Sequence, residues 1–133
     1  MEVDQKRVMP APASPEDCDR LFADRVNGGD AEALVALYED GACFVQRDGV
    51  AIGPAAIRPV IARMLEAKPH LTCNVRKVVP VGGELALLYN DWSLTVAGPD
   101  GHPVERTGKA LELVRRQPDG TWRYVIDDPY GRG

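Results

Sequence analysis

The chain has 133 residues, a length that fits one domain whose core can fold without disulfides or metals. Its formal net charge is −4 and its basic residues are spread along the chain, so the sequence lacks the basic surface typical of nucleic-acid binders. No apolar run approaches the ~20 residues of a membrane span, and the first residues lack the apolar segment of a signal peptide. We therefore expect partners other than nucleic acid or membrane.

Cysteine and histidine usage argues against a metal or disulfide framework. Cys18, Cys43 and Cys73 are scattered, odd in number and without CxxC spacing, so each is predicted to be a small, mostly buried hydrophobe. His70 and His102 have no second ligand at helical or hairpin spacing. The pattern predicts a reduced, cytoplasmic protein without a metal site.

The first residues differ in character from the rest of the chain. Residues 1–13 mix prolines with charges and show no periodicity, which predicts a flexible tail before a single domain, 14–133. Ser14 is a good N-cap, followed by a proline and two acids, so a first helix is predicted to begin there. The Gly28-Gly29 pair is expected to end it.

A second, short helix is predicted after the cap residue Asp30. Leu34, Leu37 and Tyr38 would share one face of this helix, and Gly41 would end it.

Two short strands, 43–46 and 50–52, are predicted next, followed by a third helix that enters at Gly53-Pro54. The apolar residues of this helix recur at i, i+3, i+4 and i+7. Pro59 interrupts the pattern because it has no N–H to donate. Either the first turn is irregular, or the helix begins at Arg58.

The remaining chain predicts four strands joined by glycine-containing turns. Helices followed by an antiparallel meander indicate an α+β fold with helices on one face of a curved sheet. The strand 84–97 is apolar on both sides, so we expect both of its faces to be covered. Either Tyr89 and Asp91 or Trp92 would face inward, and the sequence does not decide between them.

The last hairpin places acids in the middle of strands. A two-residue loop at Asp119-Gly120 would set Glu112 opposite Asp127. One face would then carry Ala110, Glu112, Val114, Val125 and Asp127, and the other Leu111, Leu113, Trp122, Tyr124 and Ile126. A loop longer by one residue would put Glu112 and Asp127 on opposite faces.

Two carboxylates that face each other cannot both ionise easily. One pKa would be raised, as in acid/base sites. In the alternative interpretation both acids face solvent or pair with neighbouring arginines. The apolar reverse face would be covered by a second copy of the chain.

Several segments resemble the nuclear-transport-factor-2-like superfamily. The run Val26–Asp30, followed by residues 34–42, resembles the start of such a domain, and residues 53–58 resemble the entry to its third helix. Residues 118–123 resemble the last hairpin of its SnoaL-like and ketosteroid-isomerase-like branches. The resemblance implies a cystatin-like α+β roll, in which three N-terminal helices pack on the concave face of a cone-shaped antiparallel sheet. It also implies a pocket inside the cone and a homodimer through the outer sheet face.

The resemblance can be followed residue by residue. The tyrosine and the general-base aspartate of ketosteroid isomerases fall on Phe22 and Gln46, neither of which can perform those roles. The oxyanion-hole aspartate falls on Glu112, which is still a carboxylic acid. The same match places Val125 and Asp127 in the pocket. Ketosteroid isomerase activity by that mechanism is therefore not expected.

Glu112 and Asp127 are the predicted catalytic pair. The predicted pocket lining is Phe22, Tyr38, Phe44, Gln46, Val60, Met64, Tyr89, Asp91, Trp92 and Val125. Three functions remain open: an acid/base enzyme on an apolar or polyketide-like molecule, a ligand-binding protein without catalysis, and a dimeric interaction domain. Because the chain has no glycine-rich dinucleotide loop, no cofactor is expected.

Overall fold

The computed structural model describes residues 10–133, which form three helices and six strands. The helices are α1 (Asp17–Asn27), α2 (Ala31–Val35) and α3 (Pro54–Glu66), and the strands are β1 (Tyr38–Gln46), β2 (Gly49–Ile52), β3 (His70–Val81), β4 (Leu85–Ala97), β5 (Pro103–Arg116) and β6 (Trp122–Asp128). The strands form one curved, unclosed sheet in the order β2-β1-β6-β5-β4-β3. The predicted α+β class is confirmed.

The predicted meander is present, and one pairing was not anticipated. β3, β4, β5 and β6 pair with antiparallel neighbours, as do β1 and β2. β1 and β6, however, lie side by side in parallel. The last strand of the chain is thereby joined to the first, and the sheet links the N-terminal half to the C-terminal half.

The chain immediately before α1 is held against the domain. The Pro12 carbonyl accepts a hydrogen bond from Trp122 N at 3.0 Å, and the Arg25 guanidinium donates to the Pro10 carbonyl. Residues 10–13 thus differ from the flexible tail that was predicted, while the prediction for residues 1–9 lies outside the described residues. α1 begins at Asp17, later than the predicted start at Ser14; its N-cap is Glu16, without a side-chain hydrogen bond, and Ser14 Oγ accepts from Asp17 N at 3.3 Å in the preceding turn.

The prediction that Leu37 and Tyr38 lie on the second helix is wrong. Asp30 caps α2 as expected, its Oδ1 accepting from Ala33 N at 3.0 Å, but the helix ends at Val35. Tyr124 N donates to the Leu37 carbonyl at 2.8 Å, so pairing with β6 draws this segment into a strand. The two residues remain buried, Leu37 in the turn before β1 and Tyr38 as the first residue of that strand.

α3 begins at Pro54, so its first turn is helical despite Pro59. Gly53 precedes it with φ of 84°, and Ile57 N donates to the Gly53 carbonyl at 3.0 Å. Ala55 and Pro59 are both exposed, so water can take the hydrogen bond that Pro59 cannot make.

The β5–β6 hairpin reaches the predicted pairing by a different route. Glu112 lies opposite Asp127 as predicted, but Arg116 lies opposite Trp122, one residue out of the predicted register. The two-residue loop is therefore wrong. Asp119 Oδ1 accepts from Thr121 N at 2.9 Å and from Thr121 Oγ1 at 2.6 Å, which closes a longer turn.

A bulge at Val125 restores the register further along the hairpin. Val114 pairs with Tyr124 and Leu113 pairs with Ile126, so Val125 is the extra residue. Strand alternation alone would place Tyr124 and Asp127 on opposite faces, and the bulge lets both point the same way. The prediction of Trp122 and Tyr124 on the outer face is wrong, because both pack against the core.

The helices cover one face of the sheet, called here the inner face. Buried residues alternate along β4 as Ala86, Leu88 and Asn90, which shows that its even-numbered residues point inward. The opposite, outer face carries a row of paired apolar residues: Val79, Leu87, Leu113 and Ile126. Within residues 10–133, none of the helices is both long and apolar enough to cross a membrane.

Candidate functional site

A cavity of 520 Å³ lies between the helices and the inner face of the sheet. Its volume is within the range of small-molecule sites. The apolar and aromatic lining residues are Phe22, Phe44, Val45, Met64, Leu71, Trp92, Leu94, Ala110 and Pro129. The polar lining residues are Asp19, Gln46, Arg47, Asp48, Cys73, Asn90, Glu112, Tyr124, Asp127 and Tyr130.

Three carboxyl groups converge on this cavity from three elements. Asp19 comes from α1, Glu112 from β5 and Asp127 from β6, and they are only 1%, 4% and 5% exposed. Burial of a carboxylate is costly unless it is hydrogen-bonded or protonated. In this cavity the carboxyls are stabilised both by hydrogen bonds and by bound protons.

Asp127 has a pKa near neutrality. The Tyr38 hydroxyl donates to Asp127 Oδ2 at 2.6 Å. The pKa of Asp127 is raised to about 7, chiefly by burial. The Tyr38 hydrogen bond lowers this pKa, and the negative charges of Asp19 and Asp128 add to the rise. Asp127 can therefore exchange a proton at neutral pH.

Glu112 and Asp19 form a second, coupled pair. The Tyr124 hydroxyl donates to Asp19 Oδ1 at 2.5 Å, and Asn90 Nδ2 donates to Glu112 Oε2 at 3.2 Å. Asp19 Oδ2 and Glu112 Oε1 are buried with no donor from the described residues when both groups are ionised. One proton between the two carboxyls satisfies both atoms.

The surroundings of Glu112 favour its protonated form. Its pKa is raised well above the ordinary value, first by burial and then by the negative charge of Asp19. Burial also raises the pKa of Asp19, but hydrogen bonds from Glu112 and Tyr124 oppose that effect. The cavity thus contains a coupled carboxyl pair with raised pKa values and, on β6, a carboxyl whose pKa is about 7.

The two tyrosines are fixed as hydrogen-bond donors. Burial raises the pKa values of Tyr38 and Tyr124 well above the ordinary value, so both hydroxyls keep their protons. Their ring centroids are 5.2 Å apart, and Phe22 meets Tyr124 edge-on at 6.0 Å. The aromatic stack orients both hydroxyls toward the carboxyls.

Exposed residues of the β1–β2 turn and the chain end form the mouth of the cavity. The Arg47 guanidinium lies 4.7 Å above the Tyr130 ring, which meets Trp92 edge-on at 5.5 Å. Trp92 Nε1 donates to the Pro129 carbonyl at 2.7 Å. Trp92 can lie across Gly108, its partner on β5, because glycine has no side chain there.

Most of the predicted site residues line the cavity. They are Phe22, Phe44, Gln46, Met64, Trp92, Glu112 and Asp127. Tyr38 lies behind the wall and acts through its hydrogen bond to Asp127. Gln46 donates to the Val45 carbonyl at 3.2 Å, consistent with an orienting group and not with a base.

Four predicted lining residues lie elsewhere. Tyr89 and Asp91 point to the outer side of β4, where Asp91 pairs with Arg76 and Arg132. Val125 lies at the bulge of β6, outside the cavity wall. Val60 packs against the core without lining the cavity.

Among the polar lining residues that were missed, three belong to the hydrogen-bonded carboxyl cluster: Asp19, Asn90 and Tyr124. Asp19 is one helical turn from Phe22, so its place on the apolar stripe of α1 was the available signal. Asn90 shares the parity of Trp92, but that parity was undecided. Tyr124 was assigned to the outer face, because no local sequence pattern predicts the bulge that places it on the inner face.

Solved structures of other proteins share this fold. A ketosteroid isomerase-like protein from Erwinia carotovora atroseptica is 18% identical, with a TM-score of 0.74 over 84% of this chain and 88% of that chain. A candidate dehydratase of the NTF2-like family from Streptomyces avermitilis is 21% identical, with a TM-score of 0.69 over 84% and 89%. A candidate calcium/calmodulin-dependent protein kinase II association domain from Xanthomonas campestris is 15% identical, with a TM-score of 0.76 over 95% and 94%.

The sequence itself matches a family model. Comparison with curated proteins found no match. The family model described as a SnoaL-like domain matches residues 19–129, which include all three cavity carboxyls. The chain therefore belongs to the SnoaL-like domain family.

Proposed function

We propose that this SnoaL-like domain is a cofactor-independent acid/base enzyme, of isomerase, cyclase or hydrolase type, on an apolar or polyketide-like molecule. Family membership supports the coarser statement, a domain that binds small molecules. One observation carries the rest: two carboxyls opposite each other in one apolar cavity, Glu112 and Asp127, have unequal proton affinities. Groups whose pKa values are pushed apart in this way suit acid and base roles.

Asp127 is the proposed base. Near pH 7 its carboxyl is ionised in a large fraction of the molecules, and the Tyr38 hydroxyl holds Oδ2 in place. Oδ1 accepts no hydrogen bond from the described residues and remains for a substrate proton. A base with a pKa near the working pH is the most effective one.

Glu112 is the proposed acid. Its proton is available to a substrate oxygen that gains negative charge while Asp127 removes a proton from a neighbouring carbon. Asp127 then returns its proton to a different carbon while the substrate oxygen gives its proton back to Glu112, which completes an isomerisation without net gain or loss of protons. Phe22 and Gln46 stand where ketosteroid isomerases carry their tyrosine and base, so the proposal does not extend to that reaction.

A substrate-independent probe tests the base. The ring opening of 5-nitrobenzisoxazole requires only removal of a carbon-bound proton in an apolar site. We expect the protein to accelerate this reaction, with a rate that rises through about pH 7 as Asp127 ionises. Asp127→Asn should remove the acceleration, because an amide accepts no proton at these pH values.

Asp100→Asn, in the exposed β4–β5 turn, is the matched control and should keep the rate. The proposal fails if Asp127→Asn retains the activity. It also fails if Asp127 and Glu112 titrate by NMR near their reference values, ~3.9 and ~4.3.

A ligand-binding protein without turnover is the second candidate. It is favoured by the internal partners of all three carboxyls, since Tyr38, Tyr124 and Asn90 each donate to one of them. Saturable binding without acceleration of the benzisoxazole reaction would select this candidate.

We also propose a homodimer through the outer sheet face. Leu87 and Leu113 are only partly buried there, and Ile126 is 39% exposed. A second copy would cover this row. The fold shared with a candidate association domain supports assembly. Sedimentation equilibrium measures it, and a monomer at all concentrations would contradict it. A cytoplasmic location stays a prediction.

A further inference from the structure

The charges around the cavity are strongly unequal. Its inner part carries three carboxyls, and Arg47 is the one cation among the described lining residues. Arg47 is exposed at the mouth, where its guanidinium stacks on Tyr130. Full ionisation of the carboxyls would therefore leave a buried negative charge without a compensating cation.

The carboxyls also leave a hydrogen-bond acceptor free. Asp127 is 5% exposed and lines the cavity, yet only its Oδ2 receives a hydrogen bond, from Tyr38. Oδ1 has no donor from the described part of the chain. A carboxylate oxygen without a donor in the wall of a cavity can accept a hydrogen bond from a ligand.

Aromatic rings surround these acids. Phe22, Phe44, Trp92 and Tyr124 all line the cavity. Ring faces attract cations, and more strongly where water is excluded. An ammonium group would meet carboxylates and ring faces in the same space, whereas a carboxylate would be repelled.

We propose that the cavity binds an apolar molecule carrying one amino group, held as the ammonium ion by Asp127 and the Asp19–Glu112 pair. This inference deepens the proposed function, because it rests on the same cavity and names the substrate class. It is independent of turnover, since an amine can bind without being converted.

Binding of the cation should release protons. An ammonium ion beside the carboxyls favours their ionised forms, so protons leave them as the complex forms. The titratable or charged groups that face the amine position are Asp19 from α1, Tyr38 from β1, Cys73 from β3, Glu112 from β5, Tyr124 and Asp127 from β6, and at the mouth Arg47, Asp48 and Tyr130. Tyr38 and Tyr124 stay neutral, because burial raises their pKa values well above the ordinary value, and Cys73 stays neutral because burial raises the pKa of its thiol to about 12.

Three probes of one shape separate the ligand chemistries: 2-phenylethylamine, 2-phenylethanol and 3-phenylpropanoate. Isothermal titration calorimetry at pH 8 should give the amine an affinity about tenfold above that of the alcohol, the gain of one charge-assisted hydrogen bond. The amine should bind more weakly at pH 6 than at pH 8. Its apparent binding enthalpy should change with the ionisation enthalpy of the buffer, which reports proton release from the wild-type protein.

Asp127→Asn should remove the preference for the amine, and Asp100→Asn should keep it. The buffer dependence of the wild-type protein provides the test should Asp127→Asn fail to fold. Equal affinity for amine and alcohol overturns the inference, as does failure of all three probes to bind. Tightest binding of the carboxylate, lost in Arg47→Gln, overturns it in favour of an anion held at the mouth.

The outcomes also separate this inference from the proposed function. A protein that binds the amine but does not open 5-nitrobenzisoxazole keeps the amine site and loses the enzyme. A protein that opens the benzisoxazole and binds the alcohol as tightly as the amine keeps the enzyme and loses the amine site.

Discussion

At the scale of single residues, the hydroxyl of Tyr38 controls how Asp127 titrates. Burial raises the pKa of Asp127, and the Tyr38 hydrogen bond to its ionised form lowers it, so the value of about 7 is a balance between the two. Tyr38→Phe removes the lowering contribution. We expect the pKa of Asp127 to rise by about one unit or more, the size of a hydrogen bond to a charged group.

The midpoint of the benzisoxazole pH–rate profile, or the carboxyl signal of Asp127 in NMR, measures this shift. Tyr89→Phe is the matched control, since Tyr89 points away from the cavity and should leave the midpoint in place. A midpoint that stays constant or falls in Tyr38→Phe would show that the hydroxyl does not act on Asp127.

The sequence predicted two of the three cavity carboxyls, because only those two stand out from the local pattern of their strands. Glu112 and Asp127 were found because acids in the middle of apolar strands conflict with local pattern. Asp19 gave a weaker signal, because acids are common in the first turn of a helix. Its role depends on Tyr124 and Glu112, which are distant in sequence, and only the folded chain brings them together.

At the scale of elements, contact between Trp92 on β4 and Gly108 on β5 shapes the wall of the cavity. A Cβ at position 108 would lie 2.3 Å from Trp92 Cζ2. Gly108→Ala must therefore displace the indole, which also donates to the Pro129 carbonyl. We expect a loss of about 1–3 kcal/mol of unfolding free energy, the usual cost of overpacking.

Urea unfolding measures the loss, and the tryptophan fluorescence of the folded variant reports the displaced ring. Gly83→Ala, in the β3–β4 turn, is the control, because a Cβ there meets no atom within 4 Å and the backbone φ is not positive. Equal stabilities of the two variants would mean that β4 and β5 separate easily enough to admit the methyl group.

The elements themselves were predictable where local chemistry decided them. The cap of α2, the apolar period of α3 and the four strands of the meander follow from sequence. The parallel pairing of β1 with β6 does not, because it joins distant segments that carry no shared pattern. The hairpin illustrates the limit: Glu112 pairs with Asp127 only because the longer loop and the bulge at Val125 compensate each other.

At the scale of the whole molecule, the buried acids make stability depend on pH in an unusual direction. The pKa of Asp127 is 3.8 as a reference and about 7 in the folded protein. The folded state thus binds more protons than the unfolded state between these values, and the free energy of unfolding falls as pH rises through this window. The pKa values of Glu112 and Asp19 are shifted in the same direction.

Other acids act in the opposite sense, but in a different window. The pKa values of Asp17 and Asp91 are lowered by hydrogen bonds from arginines, so their contribution is present above about pH 4 and is lost only below it. Both are weakly buried and screened by solvent, so their contribution is small. The balance predicts greatest stability near pH 4–5, with a decline toward pH 8.

The decline attributable to Asp127 is on the order of 4 kcal/mol between pH 4 and pH 8. Asp127→Asn should reduce the slope because an amide has no charge to bury, leaving the part due to Glu112 and Asp19, while Asp100→Asn should keep the wild-type slope. Urea unfolding at pH 5 and pH 8 measures both, and a wild-type protein that is no less stable at pH 8 would contradict the raised proton affinity. If the decline is found, the base that suits proton transfer at neutral pH is also a cost to the fold, which is the expected relation between a working site and its scaffold.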